Sequence, residues 1–237
     1  MYKHWIIFKA ALLDIRNEWS WYLILMLVNP LSVLFFLKII ARDSIDFPSY
    51  IVGSIVMTFG TGIFLSLGQT FALYKARSSL DYYLVLPLSK NEIILSQIFR
   101  NIILSAPSMT MVIIIGIFLY GVRIPISIYF ILAIMLTSVS LAGLGTMIGV
   151  LSRNVQIASI LTQIITPILT YLAPVFVPQS ELPLKLRAIS YLLPTTYASN
   201  SLRAALRGEL TIDYLILFLI GIISFLYVVR VLDWRHD

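Results

Sequence analysis

The residue types that carry catalysis and metal binding are scarce in this 237-residue sequence. It contains no cysteine, and its two histidines, His4 and His236, lie near its two ends. A thiolate metal site, a cysteine nucleophile and a Ser–His intramembrane protease are therefore excluded, since each needs one of these side chains. The sequence also lacks paired carboxylates spaced to hold a diphosphate through magnesium, and it lacks a G-x-x-x-x-G-K-S/T phosphate loop. We predict that the chain is not itself an enzyme and binds no metal or cofactor.

Uncharged polar side chains within apolar runs are the remaining candidates for contact with a substrate. No Asp or Glu lies in the middle of such a run, which disfavours a carrier driven by protons or sodium, because buried charges in a membrane are costly and kept for function. For any single polar residue we favour hydrogen bonding between helices. As a set they can line a pathway, and the candidates are Asn29, Thr58, Gln69, Gln163, Thr166 and Thr170.

Six apolar runs must position these residues. The runs are Trp21–Ile40, Tyr50–Tyr74, Ile102–Tyr120, Ile128–Leu151, Ile157–Val177 and Tyr214–Leu232. Each is close to the roughly 20 residues that cross about 30 Å of hydrocarbon as a helix. With 59% hydrophobic and 12% charged residues, the chain has too little polar surface to cover a soluble globule. The predicted fold is an all-α integral membrane protein with six transmembrane helices, forming one domain over residues 1–237.

The first 20 residues carry apolar side chains at helical spacing, interleaved with charges, and have no continuous apolar core. This pattern predicts an amphipathic helix over residues 1–20 that lies in the membrane interface. When both termini are placed in the cytoplasm, most Lys and Arg outside the runs fall on the cytoplasmic side. The net charge of +6 is then explained by these loops and by lipid headgroups, so we predict contact with membrane lipid and no nucleic acid.

The connection over residues 75–88 combines two helix signals. Ser89 and Glu92 have the spacing of a capping box, which predicts that a helix begins at Lys90 and continues into the third run. Upstream, a short helix over Leu80–Leu86 is predicted to end near Pro87, and it is apolar on nearly every side. One of its faces can dip into the membrane interface, or a groove on a cytosolic partner can bind it. The residues alone leave these two interpretations equal.

The segment between the fifth and sixth runs also contains two short helical patterns. An apolar stripe from Leu182 to Leu193 precedes Pro194, and Thr195 or Thr196 can cap a second helix that ends at Gly208. Each helix is about half the length needed to span a membrane, so the pair can dip into it and return. The four basic residues of the segment can contact outer lipid headgroups, which is the interpretation we favour, or an anionic substrate. They are Lys185, Arg187, Arg203 and Arg207.

In the fourth run, Gly145 and Gly149 form a G-x-x-x-G pair that permits close helix contact, with weak support for dimerisation.

The order of these elements resembles the membrane subunit of type 2 ATP-binding cassette (ABC) exporters. The resemblance covers essentially the whole chain, and it includes "LPLSKNEI" at the start of the third run. It also includes an outer pattern P-x-x-x-x-P…LP-x-x-Y…LR, carried by Pro178, Pro183, Leu193, Pro194, Tyr197, Leu202 and Arg203.

The resemblance implies export from the cytoplasm through the cell membrane. It implies two cytosolic ABC ATPase subunits, which hold ATP and magnesium, and a second copy of this chain or a homologous permease. The implied ATPase-coupling residues are Leu80, Asp81, Tyr82, Tyr83, Leu84, Pro87, Ser89 and Glu92. The implied outer gate over residues 178–210 uses Pro183, Leu186, Ile189, Pro194, Tyr197 and Arg203. The alternative is an ATP-independent carrier or channel subunit; an intramembrane enzyme is a third possibility that lacks a nucleophile.

Overall fold

The computed structural model describes residues 47–76 and 89–231, together with residues 24, 28, 31–36 and 39. Over this part of the chain it is helical and contains no strand. The helices are α1 (Phe47–Ala76), α2 (Lys90–Tyr120), α3 (Ile128–Leu151), α4 (Val155–Leu172), α5 (Leu184–Ser190), α6 (Pro194–Arg207) and α7 (Ile212–Val231). A single 3-10 turn, Gln179–Glu181, lies between α4 and α5 in the described chain.

Five of these helices, α1 to α4 and α7, are long and apolar enough to cross a membrane. They correspond to the second through sixth predicted runs, and an all-helical, multi-pass fold is confirmed. The first run, Trp21–Ile40, is described only in part, so the sixth span remains a prediction. The interfacial helix at residues 1–20 and the short helix at Leu80–Leu86 lie outside the described residues.

The fifth run ends earlier than predicted. Helix α4 stops at Leu172, and the chain bends over residues 173–177 instead of remaining helical to Val177. Pro174 explains the break, because a proline ring disfavours helical backbone at the preceding residue. Ala173 is indeed extended, with φ −75° and ψ 150°. The final residues of the predicted span therefore form a turn, called the post-α4 turn (residues 173–177) below.

Helix α1 is the central helix of the bundle. Its most apolar stretch is 83% buried, compared with 28% for α2, α4 and α7. It contacts α2, α3, α4 and α6, and it carries a π-helical segment at Gly60–Leu65. Because other helices surround it, a displacement of α1 must be accommodated by most of the molecule.

Small residues allow α3 to approach α1 closely. A methyl group added to Gly149 would lie 2.5 Å from the carbonyl oxygen of Gly68, and one added to Gly145 would lie 2.9 Å from the Cα of Phe64. Both distances are too short for a real contact. The G-x-x-x-G pair is therefore used for packing within the chain, and its suggested role in dimerisation has no support in this contact.

Helix α2 begins as predicted. The Ser89 N–H donates to the Glu92 carboxylate at 2.8 Å, and the Glu92 N–H donates to the Ser89 hydroxyl at 3.4 Å, which completes the capping box. With 31 residues, α2 is about 46 Å long, more than the thickness of the hydrocarbon layer. A spanning α2 must therefore extend beyond the hydrocarbon at one or both of its ends.

Candidate functional site

The predicted outer gate is organised around α6. This helix packs against α1, α3 and α7 through a face of mostly small buried residues. They are Thr195, Thr196, Ala198, Ser199, Ser201, Leu202, Arg203, Ala204 and Ala205. Small side chains let α6 sit deep among the spanning helices. The two predicted short helices are confirmed; their path relative to a membrane and their action as a gate remain predictions.

Of the two predicted ends of α6, the C-terminal end is confirmed and the N-terminal cap is wrong. Gly208 adopts left-handed backbone with φ 74° and terminates the helix as predicted. The predicted threonine cap is wrong, because the helix begins at Pro194, and Leu193 precedes it in extended conformation. The Thr195 hydroxyl donates instead to the Leu169 carbonyl in α4, and the Thr196 hydroxyl donates to the Ser190 carbonyl at 2.6 Å. Both hydroxyls attach α6 to neighbouring elements.

Arg203 connects three parts of the molecule. It is 9% exposed, and its Nε donates to the Ser49 hydroxyl in α1 at 3.0 Å. Its guanidinium also donates to the post-α4 turn, at 3.1 Å to the Pro174 carbonyl, 2.7 Å to Val175 and 3.1 Å to Val177. The prediction that Arg203 contacts lipid headgroups is therefore wrong. The carbonyls of this turn have no helical partners because α4 has ended. The tertiary fold places them beside the guanidinium of Arg203 on α6, whose several donors can bind them together.

The other three basic residues differ in their surroundings. Arg187 donates to the carbonyls of Gln179 at 3.1 Å, Leu182 at 3.4 Å and Ser180, so it stabilises the turn before α5. Arg207 forms an exposed ion pair with Glu209 at 3.0 Å. Lys185 is exposed. Contact of these side chains with headgroups stays a prediction.

The remaining gate candidates lie on α5 and at its junction with α6. Pro183 is exposed, Leu186 is 40% exposed and Ile189 is 43% exposed, so α5 presents an apolar face that no described residue covers. Tyr197 donates its hydroxyl to the Tyr191 carbonyl at 2.6 Å, across the junction. Burial, followed by the charge of Asp213, raises the pKa of the Tyr197 phenol. It therefore stays protonated and keeps donating at neutral pH.

Three of the pathway candidates are buried inside the bundle. Thr58 donates its hydroxyl to the Ser54 carbonyl at 2.8 Å, Thr166 to the Thr162 carbonyl at 2.7 Å, and Thr170 to the Thr166 carbonyl at 2.9 Å. Each of these three hydroxyls bonds to a carbonyl of its own helix. The hydrogen bonds between helices that we favoured are not formed by these donors. Asn29 lies outside the described residues.

The other two candidates meet at a residue that the sequence analysis missed. The side-chain amides of Gln69 in α1 and Gln163 in α4 both donate to the Ser159 hydroxyl, at 3.2 and 2.8 Å. Gln163 is exposed, and the other two are partly buried. The spacing of Ser159 and Gln163 by four residues on one apolar helix was the available signal. We call these three residues the amide cluster.

Two π-helical segments lie beside each other near the middle of α1 and at the end of α4. A methyl group on Gly60, in the first segment (Gly60–Leu65), would lie 3.5 Å from the Thr170 hydroxyl in the second (Ile168–Leu172). Such widened turns are rare and occur frequently at functional positions. Their contact places two π-helical segments against each other.

Of the ATPase-coupling candidates, Ser89 and Glu92 are described, and both are engaged in the helix cap. Leu80, Asp81, Tyr82, Tyr83, Leu84 and Pro87 lie outside the described residues. On the opposite side of this connection, the Lys75 ammonium donates to the carbonyls of Val150 and Ser152, each at 3.2 Å. The last turn of α1 is thereby attached to the end of α3, immediately before the predicted coupling loop.

Comparison with known proteins gives one positive finding. The sequence model of the family described as ABC-2 type transporter matches residues 2–206. This range includes helices α1 to α5 and nearly all of α6. A search of curated proteins found no match to the chain.

Proposed function

This chain belongs to the ABC-2 type transporter family, and from that premise we propose that it is the membrane subunit of an exporter driven by ATP hydrolysis on a separate cytosolic subunit. It is a multi-pass membrane protein and a permease component. The finer proposal is a complex in the cell membrane, with two ATPase subunits and either two copies of this chain or one copy and a homologous permease. Both termini face the cytoplasm in this arrangement. The family match over residues 2–206 is the observation that carries the proposal.

The geometry on either side of the predicted coupling loop supports transmission of force from a partner. Lys75 attaches one end of the loop to α3, and the capping box at Ser89 gives the other end a defined helix start. A partner that grips Leu80–Leu86 would therefore act on α1 and α2 together. Because α1 is the central helix, its displacement reaches α3, α4 and α6 through direct contact.

The amide cluster supports a polar pathway or a subunit contact along α4. Gln163 is exposed on a helix long and apolar enough to span a membrane. An amide that faces hydrocarbon without full hydrogen bonding is costly. We therefore assign the α4 face that carries Gln163 to the side of the molecule turned away from lipid, where a second permease subunit and the substrate are expected.

The outer segment supports a gate at the opposite end of α1. Arg203 links α6, α1 and the post-α4 turn, so a displacement of α1 can reach the outer segment directly. The exposed apolar side chains Leu186 and Ile189 on α5 suit a surface that dips into hydrocarbon or meets the second subunit. Opening and closing of this segment would release substrate on the outer side.

The test of the proposal disrupts the coupling helix. The double variant Tyr83→Asp with Leu84→Asp places two charges on a surface that would be buried in the ATPase groove, and it removes apolar burial worth about 1.5–3 kcal/mol per side chain. We expect loss of ATPase copurification from native membranes and loss of substrate-stimulated ATP hydrolysis. The matched control is Ser78→Asp with Ser79→Asp, which adds the same charge to the same connection outside Leu80–Leu86.

Copurification and hydrolysis that survive the double variant would reassign Leu80–Leu86 to an interfacial anchor. Failure of any ATPase to copurify with the unmodified chain would favour an ATP-independent carrier or channel subunit.

A further inference from the structure

A groove opens between the adjoining ends of α3 and α4, on the side of the molecule where α1 also ends. Its volume is about 350 Å³, and it is lined by Ile148, Leu151, Ser152, Arg153, Ile157 and Leu161. Four of these side chains are apolar and belong to spanning helices. Ser152 and Arg153 lie in the short connection between α3 and α4. The groove therefore has apolar walls and a basic end.

Among the described residues, no carboxylate forms an ion pair with the basic side chains at this end. Arg153 is exposed, and it makes no hydrogen bond or ion pair with a described residue. The Lys75 ammonium donates to the carbonyls of Val150 and Ser152, each at 3.2 Å, and these two acceptors are dipoles that carry no negative charge. Residues 148–161 contain no Asp or Glu. The amino end of α4, capped by Asn154, adds the positive end of a helix dipole.

The order of charge and apolar surface matches an amphipathic ligand. Arg153 lies just past the end of the 24-residue helix α3. That helix is about 36 Å long, slightly more than the hydrocarbon thickness, so a spanning α3 would place Arg153 among the headgroups. From there the exposed side chains of Ile157 and Leu161 continue along α4 toward its middle, 38% and 39% exposed. A ligand with an anionic head and a hydrocarbon tail would place both parts in suitable surroundings. Basic sites between spanning helices bind anionic lipid headgroups on this physical basis.

We propose that this groove is a binding site for an anionic phospholipid of the adjacent leaflet. Its phosphate contacts Arg153, with Lys75 contributing charge, and an acyl chain lies along Ile157 and Leu161. Since Lys75 also attaches α1 to α3, the bound lipid lies beside the contact that precedes the predicted coupling loop. The site depends on membrane insertion alone, so it stands whether the transporter exports or imports.

Native mass spectrometry of the purified full chain tests the site, with phosphatidylglycerol and phosphatidylcholine offered at equal concentration. We expect the unmodified chain to retain phosphatidylglycerol preferentially. Arg153→Gln should reduce that preference about fivefold, as expected for one basic side chain near a membrane surface. Arg153→Lys should restore most of it. Leu161→Trp should fill the groove and weaken binding of both lipids, with unchanged elution on size exclusion as the check on folding.

Arg230→Gln is the matched control, because Arg230 is an exposed basic residue in the last turn of α7 on the same side and does not line the groove. An equal loss of preference from Arg230→Gln would show a general surface charge effect and overturn the site. So would an unchanged preference in Arg153→Gln. Displacement of lipid by inorganic phosphate at matched concentration would assign Arg153 to a soluble anion. If Arg153→Gln lost ATPase copurification and kept its lipid preference, the groove would be a contact for the ATPase partner. Either result would overturn the proposal.

Discussion

At the scale of single residues, Arg203 shows that the contribution of an arginine to stability depends on whether its side chain is exposed or buried. On the surface an arginine gains little from hydrogen bonding, because water competes for each donor. Inside the bundle, the guanidinium of Arg203 supplies several fixed donors to carbonyls that the post-α4 turn leaves without helical partners. A compact turn beside the spanning helices is stable only when those carbonyls are satisfied.

Arg203→Met should lower stability by about 3 kcal/mol or more, because several buried carbonyls lose charged donors worth roughly 1.5–3 kcal/mol each. Thermal unfolding of the purified chain is the measurement. Arg207→Met, one turn later in α6, removes an ion pair whose side chains are 60% and 55% exposed, and it should change stability by less than about 1 kcal/mol. Equal destabilisation by both variants would show that the buried contacts of Arg203 contribute nothing special.

At the scale of elements, the contact between α3 and α1 depends on glycine backbones. A Cβ at Gly149 would lie 2.5 Å from the carbonyl oxygen of Gly68, which is a backbone atom and cannot rotate away. The contacts at Gly145 and Gly149 therefore set the separation of α3 and α1. They also explain why a G-x-x-x-G motif, which by itself permits many kinds of close contact, is used here within one chain.

Gly149→Ala should separate α3 from α1 and destabilise the chain by about 1–3 kcal/mol, the usual cost of overpacking. Gly60→Ala, on the facing central helix α1, is the control, since its added methyl group would meet the Thr170 hydroxyl at 3.5 Å, an ordinary contact. Thermal unfolding should separate the two variants, and the oligomeric state should be unchanged in both. A selective loss of dimer in Gly149→Ala with normal stability would return the motif to an intermolecular role.

At the scale of the whole molecule, α1 connects the two ends of the protein. Near one end its Ser49 hydroxyl accepts from Arg203, and near the other end Lys75 is bound to the end of α3. Between them lies the π-helical segment Gly60–Leu65, against the corresponding segment of α4. This arrangement gives a continuous packed route from the predicted coupling loop to the predicted gate. It requires the two ends to lie on opposite sides of the membrane.

Single cysteines test that requirement, because the natural chain has none. Asn91 at the start of α2 and Ser180 in the outer segment are both exposed. An impermeant thiol reagent added to intact cells should label Ser180→Cys and leave Asn91→Cys unlabelled until the membrane is permeabilised. Labelling of Asn91→Cys alone in intact cells would invert the orientation and with it the assignment of the outer segment.

Features governed by neighbours in the chain could be predicted from the sequence alone. The positions of the second to sixth apolar runs, the capping box at Ser89, the two short helices and the stop at Gly208 follow from periodicity, turn chemistry and backbone preference. The same is true of the missing catalytic groups and phosphate loop, which are matters of composition.

Features that depend on which distant group faces a side chain required the tertiary structure. Arg203 looked like a headgroup ligand until Pro174 and Val175 were placed beside it, and Ser159 gained importance only when Gln69 approached from another helix. The partner of the G-x-x-x-G pair likewise belongs to a segment about 80 residues away. Hydrophobic pattern determines that a helix is buried, but hydrogen-bond partners and close backbone contacts depend on the relative placement of helices. Local sequence does not encode that placement.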